Sequence, residues 1–347
     1  LEFRRVLFRS DLEEVARCVT AAIETQSGDV LVFLPGAREI RRVHESLTAR
    51  LSPQVDIHRL HGDLPRTQQD AALVPHASRR RVVLATNIAE SSLTIEGIST
   101  VVDSGFARIP RFDPNSGLTR LITSRVSQAS AEQRAGRAGR LGPGTAYRLW
   151  TEQEHQRLES SRRPEIVEAE LARLLLDLAE WGVDSPAALR WLDEPPPHAL
   201  GSARTLLRIL GAFDAQDNLT PVGRAMSSLP AHPRIARMLV GAASQNDPNL
   251  LALACDIAAV VEGRDPWRRS HRSVDVAERL QGLRVFRENP RSADVDRAVC
   301  QALERVASQL KHRAGRISVE HSKLDADPGV LLSLAYPDRI EIGRAHV

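Results

Sequence analysis

Three arginines at a spacing of three, Arg134, Arg137 and Arg140, stand among small residues in the run Gln133-Arg134-Ala135-Gly136-Arg137-Ala138-Gly139-Arg140. A guanidinium is permanently charged and fork-shaped, so it holds phosphate oxygens through paired hydrogen bonds. Residues three apart share one face of a helix. With a helix starting here, the three side chains point roughly the same way, and the Ala and Gly residues leave room for close backbone approach. A solvated basic helix start would carry the same residues, and Arg313-Ala314-Gly315-Arg316 repeats part of the pattern with no other signal around it. A second candidate stretch is Ala85-Thr86-Asn87-Ile88-Ala89-Glu90-Ser91-Ser92-Leu93-Thr94-Ile95-Glu96-Gly97-Ile98. Its Thr, Asn and Ser residues offer hydroxyl and amide hydrogen bonds suited to a phosphodiester backbone or a nucleotide. In an open α/β sheet, ligands collect at the carboxyl ends of the strands, where this stretch begins. An ordinary capped loop before a helix would use the same residue types.

The elements that position these stretches follow from periodicity. Residues 29–34 form a continuous apolar run, the mark of a strand buried on both faces. Further strands are expected at 55–60, 81–86, 100–103 and 145–150. Helical apolar periods cover 11–26 and 37–51, with a short helix at 65–73. Residues 106–123 alternate around Pro114-Asn115-Ser116-Gly117 and read as a β-hairpin. Strands alternating with helices predict an α/β domain, a parallel sheet with flanking helices. After about residue 151 the signal becomes helical. One helix is expected over 165–181, carrying Leu171, Leu174, Leu175 and Leu178, and another over 199–210 with Gly211 as its C-cap. With the turn at 218–221 these form an all-α winged-helix-like unit, and 233–315 reads as a helical bundle broken at Asp247-Pro248 and Asp265-Pro266.

Composition limits what the chain can be. Its 347 residues suffice for two or three domains, and 42% hydrophobic with 26% charged residues describes a soluble globular protein. No apolar run reaches the length of a membrane span. The net charge is +3 with a pI near 9.0, and Lys311 and Lys323 are the only lysines. Cys18, Cys255 and Cys300 are far apart, so they support neither a zinc site nor a disulfide framework, and a reducing cytoplasm is the default. Cys255, among Leu251, Leu253 and Ile257, reads as a core residue. His58 and His61 lack further ligands for a metal. Ser104 and Ser116 lack a hydrolase elbow. Trp150, Trp181, Trp191 and Trp267 read as core anchors, and the Arg268-Arg269 and His271-Arg272 cluster as a solvated loop open to phosphate contact.

Taken together, the two stretches resemble motifs of superfamily 2 helicases, within them the DEAH-box group. The run 85–95 looks like motif V, and 133–140 looks like motif VI, with Gln133 where DEAD-box proteins usually carry His. Residues 29–35 and His61-Gly62 fall where intermediate motifs are expected. Pro164-Glu165-Ile166, Glu194-Pro195-Pro196, Leu210-Gly211-Ala212, 219–223 and 229–234 resemble the winged-helix and ratchet-bundle signatures of that group, and 331–340 is similar to its bacterial HrpB branch. The resemblance implies a second RecA-like domain. Arg137 and Arg140 would be arginine fingers on ATP phosphates, and Gln133 a sensor of the terminal phosphate or attacking water. Ser92 and Glu96 would lie beside the nucleotide, Glu96 where many relatives carry Asp, while Thr86, Asn87 and Thr94 would hold the nucleic-acid backbone. The hairpin at 106–123 resembles a strand-separating hairpin. ATP and Mg²⁺ would sit between this domain and a first RecA-like domain. The partner would be single-stranded nucleic acid, RNA over DNA.

A P-loop needs Gly-Lys followed by Ser or Thr. Lys311 follows Leu310 and Lys323 follows Ser322, and the chain has no Asp-Glu-x-His box. The expected organisation is therefore a second RecA-like domain over 11–151, a winged-helix-like unit over 152–225, a ratchet bundle over 226–315 and the start of a C-terminal region over 316–340. Residues 1–10 and 341–347 look like two strands of one sequencing adapter and are set aside. The alternative reading is a non-catalytic nucleic-acid-binding or regulatory module on the same scaffold.

Overall fold

The structure is a computed structural model describing residues 2–75, 78–91, 95–113, 118–140, 142–183, 185–268, 275–317 and 327–340, with the side chains of 2–11, 91 and 118 left aside. It divides into two compact units, 1–169 and 170–347. In the first, the chain runs through α1 (Glu2–Thr25), β1 (Asp29–Phe33), α2 (Ala37–Arg50), β2 (Val55–Leu60), α3 (Arg66–Leu73), β3 (Arg80–Ala85) and α4 (Ile88–Ser91). It continues through β4 (Ile98–Asp103), β5 (Phe106–Asp113), β6 (Leu118–Arg125), α5 (Gln128–Ala135), β7 (Thr145–Arg148), α6 (Glu152–Gln156) and α7 (Glu165–Glu168).

The five-stranded sheet has the order β2-β3-β1-β4-β7, and every pairing in it is parallel. Alternation along a strand sends successive side chains to opposite faces. Val30 and Val32 of β1 therefore join Val82, Leu84 and Val102 under the apolar faces of α1 and α2, which present Val15, Val19, Ile40 and Leu47. Leu31 and Phe33 join Val83, Ala85 and Val101 on the other face, against Ala89 and Ala138. Both faces are dry, as the uninterrupted apolar run at 29–34 predicts. β5 and β6 pair antiparallel as a separate hairpin, and the expected turn at 114–117 lies outside the described residues. The last strand is shorter than expected and stops at Arg148.

One polar pair is built into the start of the sheet. Arg81 is fully buried. Its Nε donates to Asp29 Oδ2 at 2.8 Å and its NH1 to the Ala72 carbonyl at 3.1 Å. A buried guanidinium is tolerated only when its donors are met. Here they tie β1, β3 and α3 together, and a further donor reaches the Glu96 carbonyl.

The second unit is helical: α8 (Ala172–Glu180), α9 (Pro197–Ile209), α10 (Pro221–Ser227), α11 (Pro233–Ala243), α12 (Pro248–Glu262), α13 (Val276–Glu288), α14 (Arg297–Ala314) and α15 (Pro328–Ala335). The expected single helix over 165–181 is two, α7 and α8. Ala169 turns extended at φ −82, ψ 161, and Glu170 Oε1 accepts from the Ala172 amide at 2.8 Å, meeting a donor that helix starts leave open. α9 ends as predicted, with Gly211 at φ 70, a conformation glycine adopts without steric cost. A single antiparallel bridge, Phe213 to Leu219, adds a minimal wing-like turn to α8–α10. The break at Asp247-Pro248 is an N-cap followed by proline: Asp247 Oδ1 accepts from the Asn249 amide at 2.8 Å. Trp181 is not a core anchor; it is 75% exposed at the end of α8. Cys255 is buried in α12, and burial pushes its thiol up to about 12. Among the described residues no helix is long and apolar enough to cross a membrane.

Candidate functional site

The stretch after β3 does not stay at the carboxyl edge of the sheet. It begins there, where the Thr86 amide donates to the Leu60 carbonyl at 3.2 Å at the end of β2. It finishes at the opposite edge, where the Gly97 carbonyl accepts from the Asp29 amide at 3.1 Å at the start of β1. Thr86 and Asn87 thus sit at one edge, half-buried, and Glu96 at the other, exposed. A strand of this length separates them by roughly 17–20 Å. Ser92 and Thr94 lie outside the described residues.

The arginine run crosses the same face beside it. Ser127 caps α5, its Oγ accepting from the Ser130 amide at 3.2 Å. The helix ends at Ala135, so the run lies at a helix end rather than a helix start, and the three arginines do not share a face. Arg134, in the last turn, is 1% exposed. Its Nε donates to Glu90 Oε2 at 3.0 Å and its NH1 to Asp103 Oδ1 at 2.8 Å. The same NH1 reaches the Phe106 carbonyl at 3.3 Å, and the guanidinium lies 4.8 Å from the Phe33 ring centroid. Ser130 Oγ meets the other Glu90 oxygen. Two carboxylates, a carbonyl and an aromatic face hold the Arg134 guanidinium inside the domain.

Beyond Ala135 the turn carries the other two arginines differently. Arg137 is half-buried, and its Nε donates to the Glu90 carbonyl at 2.9 Å. Burial, then the charge of Arg140, pull its pKa down; a guanidinium stays charged through such a shift. Arg140 is exposed, and among the described residues no carboxylate pairs with it. Gln133 is exposed on α5. The turn reaches the sheet's amino edge. A Cβ built on Gly144 would lie 2.2 Å from the Ala138 carbonyl oxygen and 2.8 Å from that of Ser99 in β4. Glu96, which precedes β4, is at that same edge.

Glu90 is the residue that sequence reasoning passed over. Its side chain holds Ser130 and Arg134, and its carbonyl holds Arg137. Asp103 is the second omission. Burial pushes its carboxyl up against the pull of Arg134, and its Oδ1 also accepts from the Gly105 amide at 2.9 Å. Both omissions had a signal in the sequence. Asp103 follows the buried pair Val101-Val102 at the end of its strand, and Glu90 follows two apolar residues in a short helix. A buried arginine in the run calls for just such carboxylates.

The donor set suits the phosphates of a nucleotide: an anchored guanidinium and, three residues on, an exposed one with no carboxylate partner among the described residues. It does not suit Mg²⁺, since no group of carboxylates, His or Cys among the described residues could hold a metal ion.

The helicase conserved C-terminal domain family matches residues 12–142, and the winged-helix helicase-associated domain, HA2, matches 203–231. ATP-dependent RNA helicase HrpB of Escherichia coli K12 is 44% identical over 266 residues, which is 76% of this chain and 32% of that protein. Probable ATP-dependent RNA helicase DHX34 of Mus musculus is 38% identical over 253 residues, 72% of this chain and 22% of that protein. The chain therefore spans about a third or less of the length of these relatives. A crystal structure of Escherichia coli DEAH/RHA helicase HrpB superposes with a TM-score of 0.78 at 39% identity, covering 94% of this chain and 38% of that one. A second HrpB crystal structure, described as a DExH-box NTPase, gives a TM-score of 0.75 at 38% identity, with 94% of this chain and 37% of that one covered.

Proposed function

The chain belongs to the HrpB-type helicases, with a helicase C-terminal domain and a winged-helix HA2 region, and from that premise we propose that it supplies the arginine-finger half of an ATP site and part of a nucleic-acid channel. In this reading Arg137 and Arg140 bind the phosphates of ATP and stabilise the charge that develops on the transferred phosphoryl group. Gln133 stands by to orient the terminal phosphate or the water. Glu96 and Ser92 line the nucleotide side. Thr86, Asn87 and Thr94 hold the backbone of a single strand, RNA in preference to DNA.

The observation that carries the reading is the double grip of Glu90. It links the stretch after β3 to α5 and to the turn that follows it, which bears Arg137 and Arg140. Movement of either stretch is thereby felt by the other, as a nucleic-acid-stimulated ATPase requires. Mg²⁺ and the phosphate cradle are assigned to a first RecA-like domain, because this chain has neither Gly-Lys-Ser/Thr nor an Asp-Glu-x-His box. When bound there, Mg²⁺ would supply Lewis-acid neutralisation of the phosphates. This chain contributes binding, orientation and positive charge. Alone, it is expected to release no phosphate from ATP with or without RNA.

The test is Arg137→Ala in the intact helicase. Arginine fingers contribute ~10³–10⁵ in rate, so RNA-stimulated ATP turnover is expected to fall at least ~10²-fold while RNA affinity is largely kept. Unchanged turnover would remove the finger assignment. A competition assay with matched RNA and DNA strands at fixed salt checks the strand preference.

A further inference from the structure

A cleft of about 350 Å³ in the second unit is shared by α8, α9, α10 and the wing-like turn. Its buried lining is apolar: Leu175 of α8, Pro186 and Phe213. Charge is confined to four other lining residues, Glu180, Arg204, Asp217 and Arg224. The two carboxylates are already engaged. Arg208 donates to Asp217 from Nε to Oδ1 at 2.7 Å and from NH2 to Oδ2 at 2.8 Å. Glu180 Oε2 accepts from the Ser227 hydroxyl at 3.0 Å. The two arginines are not. Arg204 reaches Asp217 only at 3.8 Å, beyond hydrogen-bond distance. Arg224 is exposed, and among the described residues no carboxylate pairs with it. The cleft thus sets two guanidiniums with spare donors beside an apolar wall.

We infer that this cleft binds a small organic acid with an apolar body, its carboxylate on Arg224 and Arg204 and its body against Leu175 and Phe213. The site stands apart from the ATP and nucleic-acid reading, which uses residues of the first unit only. Small-molecule sites are mostly apolar with a few placed polar groups and span about 300–1,000 Å³, and this cleft fits the lower end. A carboxylate is planar and takes paired hydrogen bonds from a guanidinium fork. Burial of the body adds affinity that a free carboxylate lacks, and water excluded by the apolar wall leaves the ion pair stronger. An organic cation is disfavoured, because Asp217 and Glu180 are spent on Arg208 and Ser227. Since α8, α9, α10 and the wing-like turn all line the cleft, a bound acid ties them together.

The experiment titrates the full chain with 3-phenylpropionate by calorimetry and follows thermal melting in parallel. The acid is expected to bind and to raise the melting temperature as its concentration rises. Two controls, 3-phenylpropanol without the charge and acetate without the body, are each expected to bind at least about tenfold more weakly. Arg224→Gln and Arg204→Gln are each expected to weaken 3-phenylpropionate about tenfold, the loss of a charge-assisted hydrogen bond. Without ligand, Arg224→Gln is expected to melt with the parent, since the side chain is exposed and pairs with no carboxylate among the described residues. Arg224→Lys keeps the charge and is expected to lose less affinity than Arg224→Gln. If the parent does not bind the acid, the site is wrong. If the alcohol or acetate binds as tightly as the acid, or if both Gln variants keep the parent's affinity, the assignment of head and body is wrong. An Arg224→Gln chain that melts well below the parent without ligand marks that arginine as structural and likewise overturns the site.

Discussion

Arg134 and Arg137 are the same residue type three positions apart, yet the fold gives them opposite work. Arg134 is spent on Glu90 and Asp103 inside the domain, and Arg137 is held by a carbonyl at the edge. Spacing alone could not separate them, because the distinction depends on where α5 ends and which carboxylates the chain folds back beneath it. Removing one partner of a buried charge network costs about 3–5 kcal/mol, because the other charges stay buried. Arg134→Met is therefore expected to be strongly destabilised in a urea titration. Its pH dependence is specific. Burial pushes the Asp103 carboxyl up, and Arg134 is the main force opposing that. A carboxyl raised in the fold binds a proton where the unfolded chain has lost it, so stability falls as pH rises through that window and returns as pH falls. The variant's deficit should be smaller near about pH 5 than near about pH 8, and a deficit that grows on acidification would contradict the account.

At the scale of elements, the parallel sheet, the hairpin and most helices were legible because periodicity and turn residues are local properties. The break at 169–171 was not legible, because an apolar stretch with good helix formers conceals a stop made by the Glu170 side chain. The path of the stretch after β3 was also hidden: a polar run after a strand marks the carboxyl edge, but only pairing shows that it crosses to the amino edge. Gly144 shows the same dependence on tertiary contact. Its missing side chain lets the turn after α5 seat against β4, with the Ala138 and Ser99 carbonyl oxygens 2.2 and 2.8 Å from any Cβ. Backbone atoms cannot swing away as a flexible side chain can, so Gly144→Ala must push the turn that carries Arg137 and Arg140. Misplacement of about 1 Å can cost ~10²-fold in rate. On the proposed function, Gly144→Ala in the intact protein is expected to lower kcat for ATP more than it lowers RNA affinity. An unaltered kcat would show that the turn tolerates the shift.

At the scale of the whole molecule, the two units carry separate stabilising features. The first encloses its sheet between two apolar layers and the Arg134 network. The second closes on buried faces of α11, α12 and α14 and on Arg234, whose NH2 donates to Asp338 Oδ2 at 2.8 Å. Energetic coupling is strongest between residues that share partners, and weak between residues that do not. Calorimetry of the chain is therefore expected to resolve two transitions. Arg134→Met should lower one of them by on the order of 10 °C, given about 2–4 °C per kcal/mol for a unit of this size, and leave the other in place. Arg234→Met, which strands Asp338, should do the converse. A single transition that moves as a whole in both variants would mean that the units fold as one, and that a change at the arginine turn is transmitted through the entire chain rather than through Glu90 alone.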